Sequence, residues 1–323
     1  MKKEISVHHE WGKLQEAVVG IGDDIVVPTY YEGLGFFDQR AIEFMKQYGG
    51  SKLSDADPKT QRIVLEQVSA LVKILEDRGI IVHRCHLLQP EEKKYLEDVQ
   101  KGHLLLFPRD PIVVIGNNVI ELSLRFPMRR KERWSLRPVL ESVLKESNAN
   151  YVAMPPASPH LDENGPFLEG GDVLLNGYEI YVGHSGLTSN KAGIEWLQGF
   201  LGTEYKVHEI RLGRAFQHLD CVLALLRPGL GIMCPEGFID ELPESLRNWE
   251  YVTVTKEEAD NLGANALVLD EKTVIIDERH HRIGGELRAR GQEVIEVAFS
   301  RVSIYGGAFR CWHHPLRRDS SLS

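Results

Sequence analysis

Four stretches of the chain share one hydropathy pattern: an apolar run, a turn, then a second apolar run. They are DPIVVIGNNVIELS from Asp110, DVLLNGYEIYVG from Asp172, DCVLALLRPGLGIMC from Asp220 and NALVLDEKTVIID from Asn265. Gly, Asn, Pro or Asp-Glu-Lys stands at the middle of each, as a β-hairpin requires. A helical stretch is expected after each hairpin, over Lys131–Glu146, Asn190–Leu201, Ile239–Trp249 and His281–Arg290. In NKAGIEWLQGFL, for example, Ile194, Leu197 and Leu201 recur at helical spacing. A short strand such as YVAMP, YKVHEI or EVIEVAF then closes the unit.

The N-terminal region follows the same scheme. LQEAVVGIG reads as a strand, and IIVHRCH as the closing strand. Between them KTQRIVLEQVSALVKILEDRG reads as a long helix with Val64, Val68, Leu71, Val72 and Leu75 on one face, stopped at Gly79. Five ββαβ-type units predict an α/β fold arranged around an axis, a five-bladed α/β propeller with pseudo-fivefold symmetry. The plainer alternative is an unsymmetrical α/β domain. With no linker and no low-complexity segment, residues 1–323 are expected to form a single domain, ending in a polar tail from about 317 to 323.

Composition narrows the classes of function. At 42% hydrophobic and 26% charged residues, the usage is that of an ordinary globular protein. A net charge of −9 argues against nucleic acid as a partner, because phosphate neutralisation needs a basic surface. The start MKKEISVHHEW has no apolar stretch behind its lysines, so no secretory signal is expected. No run is long enough to span a membrane. Cys85, Cys221, Cys234 and Cys311 have no regular spacing, which fits a reduced, cytoplasmic compartment.

Polar residues recur at the hairpin entries: Asp110, Glu169 and Asp172 around Gly170-Gly171, His218 and Asp220, Asn265, and Cys311 after YGGAFR. Equivalent points of repeated units meet near the axis of a propeller, which would gather these residues into one pocket. A cysteine attacks as its thiolate. His218 titrates near neutrality and suits general acid–base work, and Glu169 can orient its ring and stabilise its cation. Asp110 and Asp220 would oppose a thiolate by like-charge repulsion, unless the substrate is itself a cation. A guanidinium offers the planar N–H donors that carboxylates bind bidentately, and its central carbon is the electrophile.

These motifs resemble the guanidine-modifying enzyme superfamily, and within it the amidinotransferases acting on glycine or aminocyclitols. The resemblance is carried in order by SVHHEWGKLQEAVVGIG, FPRDPIVVIGNNVIE, LTSNKAGIEWLQGFLGTEYKVH, HLD, NALVLDEKTVIID and GGAFRCWHHPLRR, nearly the whole chain. It implies a five-bladed α/β propeller with Cys311 as nucleophile, His218 as general acid and base, Glu169 as its orienting carboxylate, and Asp110 and Asp220 holding the guanidinium. Many amidinotransferases carry Asp where Glu169 stands, and Glu-Gly-Gly-Asp is more like the arginine deiminases. The implied reaction is ping-pong. Cys311 takes the amidino group from a donor, usually arginine, and passes it from a thiouronium intermediate to an amine acceptor. No metal and no organic cofactor is implied. The partners are a small guanidino donor and an amine acceptor, with no nucleic acid and no membrane; a homodimer is the one macromolecular assembly entertained.

Rival readings accompany this one. The first is a hydrolase of the same fold, an arginine deiminase or dihydrolase; the second is a non-catalytic binding protein for guanidino compounds. The arginine that follows the fourth hairpin in glycine-acting members is replaced near Glu236 or Gly237, and of the arginines that clamp the substrate carboxylate in deiminases only Arg310 has a counterpart nearby; Arg310 and the hairpin-entry Asn265 are further substrate-binding candidates. Asp172 is read as either a structural turn carboxylate or a catalytic one. Cys85, Cys221 and Cys234 are expected to be inert core residues, and His8, His9, His280 and His281 surface polar ones. RFPMRRKERW is expected to be a solvated face, and Arg109 to be either a pocket residue or one half of an ion pair with a neighbouring carboxylate. His313 and His314 have no assigned role.

Overall fold

The computed structural model describes residues 4–35, 37, 39–158 and 165–319. Its strands form five three-stranded sheets, each built of an antiparallel pair and a third strand parallel to the middle one. The first pairs β1 (Lys13–Val19) with β2 (Ile81–Arg84) in parallel and with the C-terminal β15 (His313–Asp319) antiparallel. The second holds β3 (Ile112–Ile115), β4 (Asn118–Glu121) and β5 (Asn150–Ala153). The third holds β6 (Val173–Asn176), β7 (Glu179–His184) and β8 (Lys206–Arg211). The fourth holds β9 (Leu223–Arg227), β10 (Leu230–Met233) and β11 (Glu250–Thr253). The fifth holds β12 (Leu267–Val268), β13 (Thr273–Asp277) and β14 (Glu293–Val297).

The four expected hairpins are all present. Three of their turns, at Gly116 (φ 58°), Gly177 (φ 64°) and Gly229 (φ 77°), place glycine where a left-handed backbone is needed. The expected closing strands are likewise in place. The hairpin strands read as continuous apolar runs because both faces are covered: all four residues of β3 are buried. The first sheet is completed by the last strand, with Val18 opposite His314 and Val19 opposite His313. The sequence repeat is thus cut within a sheet, and its two ends rejoin by hydrogen bonding.

Five helices of nine or more residues lie among the described residues: α1 (Gln39–Tyr48), α2 (Pro58–Glu76), α3 (Arg133–Glu146), α4 (Lys191–Leu201) and α5 (His281–Ala289). The long helix α2 starts where the Asp57 side chain accepts a hydrogen bond from the Thr60 amide and Pro58 pre-sets the first turn. Its expected face, Val64 to Leu75, is buried. Asn190 caps α4 through the Gly193 amide. None of these helices is long and apolar enough to cross a membrane.

Three expectations fail. The helix over Ile239–Trp249 shrinks to Glu244–Arg247, because Pro243 disfavours helical backbone in the residue before it; Ile239 is 60% exposed. The tail does not begin near residue 317. Arg317 and Arg318 lie in β15, and Arg318 is buried, donating to the Gly12 and Val268 carbonyls. Residues 320–323, the rest of that expected tail, lie outside the described residues. The charged run around Met128–Glu132 is not a solvated face: Arg129, Arg130, Lys131 and Glu132 are all buried. Their charges are absorbed by one another and by backbone, with Arg129 on Glu132 at 2.9 Å and the Lys131 ammonium on the Lys93 carbonyl at 2.6 Å.

Candidate active site

The hairpin-entry residues do converge. His218, Asp110 and Cys311 line one small pocket together with Arg129, Phe107 and Gln217. Glu169 stands immediately behind His218, and Asp220 and Asn265 immediately behind Cys311. They come from the loops leading into all five sheets, His218 and Asp220 sharing the one before β9. Two glycines make the approach possible. A Cβ on Gly171 would lie 2.7 Å from His218 Nδ1 and 2.8 Å from Asp110 Oδ1; one on Gly307 would lie 2.9 Å from Cys311 Cβ.

His218 and Glu169 form a buried pair, with Nε2 2.9 Å from the Glu169 carboxylate. The other Glu169 oxygen accepts the Arg125 amide, so the carboxylate is fixed in orientation. His218 Nδ1 faces Asp110 at 3.9 Å. Burial disfavours the imidazolium, but Asp110, Asp172 and Glu169 outweigh it and raise the His218 pKa to about 10. The ring therefore carries its proton at neutral pH and is a general acid in the resting site.

Cys311 sits in a short helix, Phe309–Trp312, that leads into β15. Its amide and that of Arg310 both donate to Asn265 Oδ1, and Asn265 Nδ2 reaches Cys311 Sγ at 3.2 Å. The thiol lies 3.4 Å from Asp220 Oδ2. Burial, then Asp220, then Asp110 push its pKa well above the ordinary value, so it rests as the neutral thiol. A cation placed between the two aspartates would reverse that effect.

Asp110, Glu169 and His218 present ligand atoms within 4.8 Å of one another, a grouping with metal-site dimensions. Each already has hydrogen-bonding partners. Asp110 accepts from Arg129 at 2.6 Å and from the Gly171 amide at 3.0 Å, and Glu169 holds His218. With His218 Nε2 held by Glu169 rather than open to an ion, the set fits proton transfer better than coordination.

Arg310 departs from the expectation of a free substrate clamp. It is buried and spends its donors on Glu10 (3.0 and 3.1 Å), Asp220 (3.1 Å) and the carbonyls of Gly170 and Val173. It braces Asp220 from behind. Glu10 and Arg129 were both missed in the sequence. Each carries a charge in a segment that reads as surface, and only tertiary contact reveals its partner. Arg109 does not line the pocket at Cys311, and among the described residues it makes no ion pair: it donates to the Arg310 carbonyl and lies 3.4 Å from His313 Nε2. Burial and the neighbouring Arg310 lower its pKa to about 9.

His313 and His314 are buried in the wall behind the pocket. His313 Nδ1 lies 2.9 Å from the Phe309 carbonyl, and His314 Nε2 accepts the Val114 amide. Burial and nearby arginines hold both rings neutral. Asp172 is structural, binding Thr188, Ser189 and the Leu219 amide; burial raises its pKa to about 6. Cys85 and Cys234 are buried as expected, whereas Cys221, also buried, borders a cleft and lies 3.9 Å from Asp220. His280 is buried rather than at the surface, 3.0 Å from the Asn261 carbonyl, and His9 stacks on Trp11.

Comparison with known proteins agrees with this constellation. The family model described as N,N dimethylarginine dimethylhydrolase, eukaryotic, matches residues 42–318. The chain is 27% identical to inosamine-phosphate amidinotransferase 1 of Streptomyces glaucescens over 350 residues, covering 98% of each chain. It is 26% identical to the mitochondrial glycine amidinotransferase of Danio rerio, covering 98% of this chain and 84% of that one. Among solved structures, the inosamine-phosphate amidinotransferase StrB1 of Streptomyces griseus superposes with a TM-score of 0.85 at 23% identity over 99% of both chains. The N-terminal domain of the cyanobacterial arginine dihydrolase ArgZ superposes at 0.68 and 19%, over 94% of this chain and 97% of that one. The chain belongs to the guanidine-modifying enzymes, within the family matched as N,N dimethylarginine dimethylhydrolase, and along its whole length it is similar to the amidinotransferases.

Proposed function

We propose that the chain is an amidinotransferase that carries the amidino group on Cys311 between a guanidino donor, of which arginine is the leading choice, and an acceptor amine. The five sheets are read as the blades of a propeller whose inner loops supply the site. One observation carries the reading: the Cys311 thiol and the His218 imidazole line the same pocket as Asp110, with Asp220 against the sulfur. Burial and these carboxylates push the thiol pKa up, and against burial Asp110, Asp172 and Glu169 raise that of the imidazole.

A guanidinium bound between Asp110 and Asp220 supplies the positive charge that the thiol lacks. As the guanidinium docks, Cys311 releases its proton to solvent, to be regained when the product guanidine leaves, and the thiolate adds to the guanidinium carbon. His218 gives its proton to the departing nitrogen, the C–N bond breaks, and the donor amine leaves. A thiouronium remains on Cys311. A neutral acceptor amine then attacks the same carbon, His218 takes its proton, and the C–S bond breaks to return the thiolate. Glu169 stabilises the imidazolium in both halves, and Asn265 holds Cys311 in register. Atoms and charge balance with no further reactant.

Hydrolysis of the same intermediate by water is the second reading. The dimethylarginine dimethylhydrolase match over residues 42–318 favours it. Incubation with arginine separates the two. Ornithine formed beyond one equivalent per enzyme only when an acceptor amine is present supports transfer. Citrulline and ammonia formed without one support hydrolysis and overturn the proposal.

A further inference from the structure

The pocket at Cys311 is about 30 Å³, room for a reacting group but not for the body of a substrate. Substrate bodies must therefore lie in the clefts that open from it. One cleft, of about 510 Å³, shares Phe37, Gln217 and Gly306 with the pocket and is walled by charged groups such as Lys256, Asp260 and Arg279. The other, of about 540 Å³, runs between α1 and residues 300–305. It shares Leu34, Phe37, Leu104, Met128 and Tyr305 with the pocket, so the two are continuous.

This second cleft is built of a different material. Val27, Leu34, Phe44, Met45, Leu104 and Met128 form its walls. Its charged groups are the exposed Arg40 and Arg301 and Asp57, whose carboxylate is taken by Thr60. Val27, Leu34 and Met45 belong to a small apolar cluster separate from the three main cores, contributed largely by residues 27–56. Ile304 stands 49% exposed where the two clefts meet, an apolar surface that a bound molecule would cover.

We propose that this apolar cleft receives the body of the acceptor, and that the acceptor is a primary amine on a hydrocarbon or aromatic body. The proposal rests on the amidinotransferase reading above. Its nitrogen reaches the thiouronium carbon past Phe37 and Met128, gives its proton to His218, and leaves as a substituted guanidine. The charged cleft is left for the amino-acid end of the donor. A cleft of this volume and lining is of the kind that binds small ligands by apolar contact, with few polar anchors.

The test uses arginine as donor and straight-chain amines from methylamine to hexylamine as acceptors. A first measurement asks whether arginine alone gives a burst of one ornithine per enzyme and an amidino group on Cys311. With that burst present, kcat/KM for the acceptor should rise about fourfold per methylene until the cleft is filled. Ala41→Trp, which fills the cleft from α1, should lower the hexylamine-to-methylamine ratio at least tenfold. A burst followed by flat or falling rates along the series, with glycine or lysine preferred, overturns the cleft assignment and leaves the transferase reading standing. Absence of the burst overturns the transferase reading, and the cleft assignment with it.

Discussion

Glu10→Gln should destabilise the fold and weaken the site together. Both Glu10 oxygens bind Arg310, at 3.0 and 3.1 Å, and both residues are buried. Arg109 and Arg318 are buried nearby, so the carboxylate offsets more than one positive charge. Removing one partner of a buried ion pair costs roughly 3–5 kcal/mol. Arg310 keeps Asp220 and two carbonyls, which places the expected loss at the low end, about 3 kcal/mol. With an unfolding entropy of about 2.1 cal/mol/K per residue, that loss lowers Tm by roughly 4–5 °C. Thermal unfolding followed by circular dichroism measures it. The sign of the pH dependence gives a second check. Burial would raise the Glu10 pKa, but Arg310 and Arg109 prevail and set it below its ordinary 4.5. Its stabilisation is therefore complete above about pH 4.5 and is lost as pH falls through the lower folded-state value. The gap between wild type and Glu10→Gln should close in the same window. A Tm shift under about 1 °C, or a gap that widens in acid, would refute the reasoning.

Asp220→Asn should raise KM for the guanidino donor roughly 10- to 150-fold, the loss of a charge-assisted hydrogen bond. It should also speed alkylation of Cys311 by iodoacetamide at neutral pH, because Asp220 is the leading charge that raises the thiol pKa; unchanged alkylation would remove that assignment. Gly171→Ala places a methyl 2.7 Å from His218 Nδ1 and should cut kcat by roughly 100-fold or more, the scale of general acid catalysis, read by steady-state kinetics. The activity that needs protonated His218 should decline as pH rises past about 10, and Glu169→Gln should move that alkaline limb downward. An alkaline limb that stays in place would show that Glu169 does not hold the imidazolium.

The hairpins and α2, α4 and α5 were legible because each carries its own period and its own turn or cap residue. The closure of β1 on β15 was not, since nothing local in HHPLRRD marks a strand: its alternation is broken by Pro315 and its arginines read as a tail. That Asp110, Glu169, His218, Asp220, Asn265 and Cys311 lie close together was legible because they recur at equivalent points of a repeat and match a family pattern. Arg310 was placed in the right loop but with the wrong partner. Its orientation depends on Glu10, a residue 300 positions away in sequence. Arg129 was hidden inside a basic run. Charge by itself does not say whether a guanidinium is hydrated or buried against carboxylates such as Asp110 and Glu132.

The measurement nearest the chemistry is the mass of the protein and of its Cys311 peptide after brief incubation with arginine and no acceptor amine. Transfer through Cys311 predicts a mass increase of one amidino group on that peptide, one equivalent of ornithine per enzyme and no citrulline, and none of these in Cys311→Ala. An unmodified Cys311 with continuing turnover, or an amidino group on another residue, would contradict it.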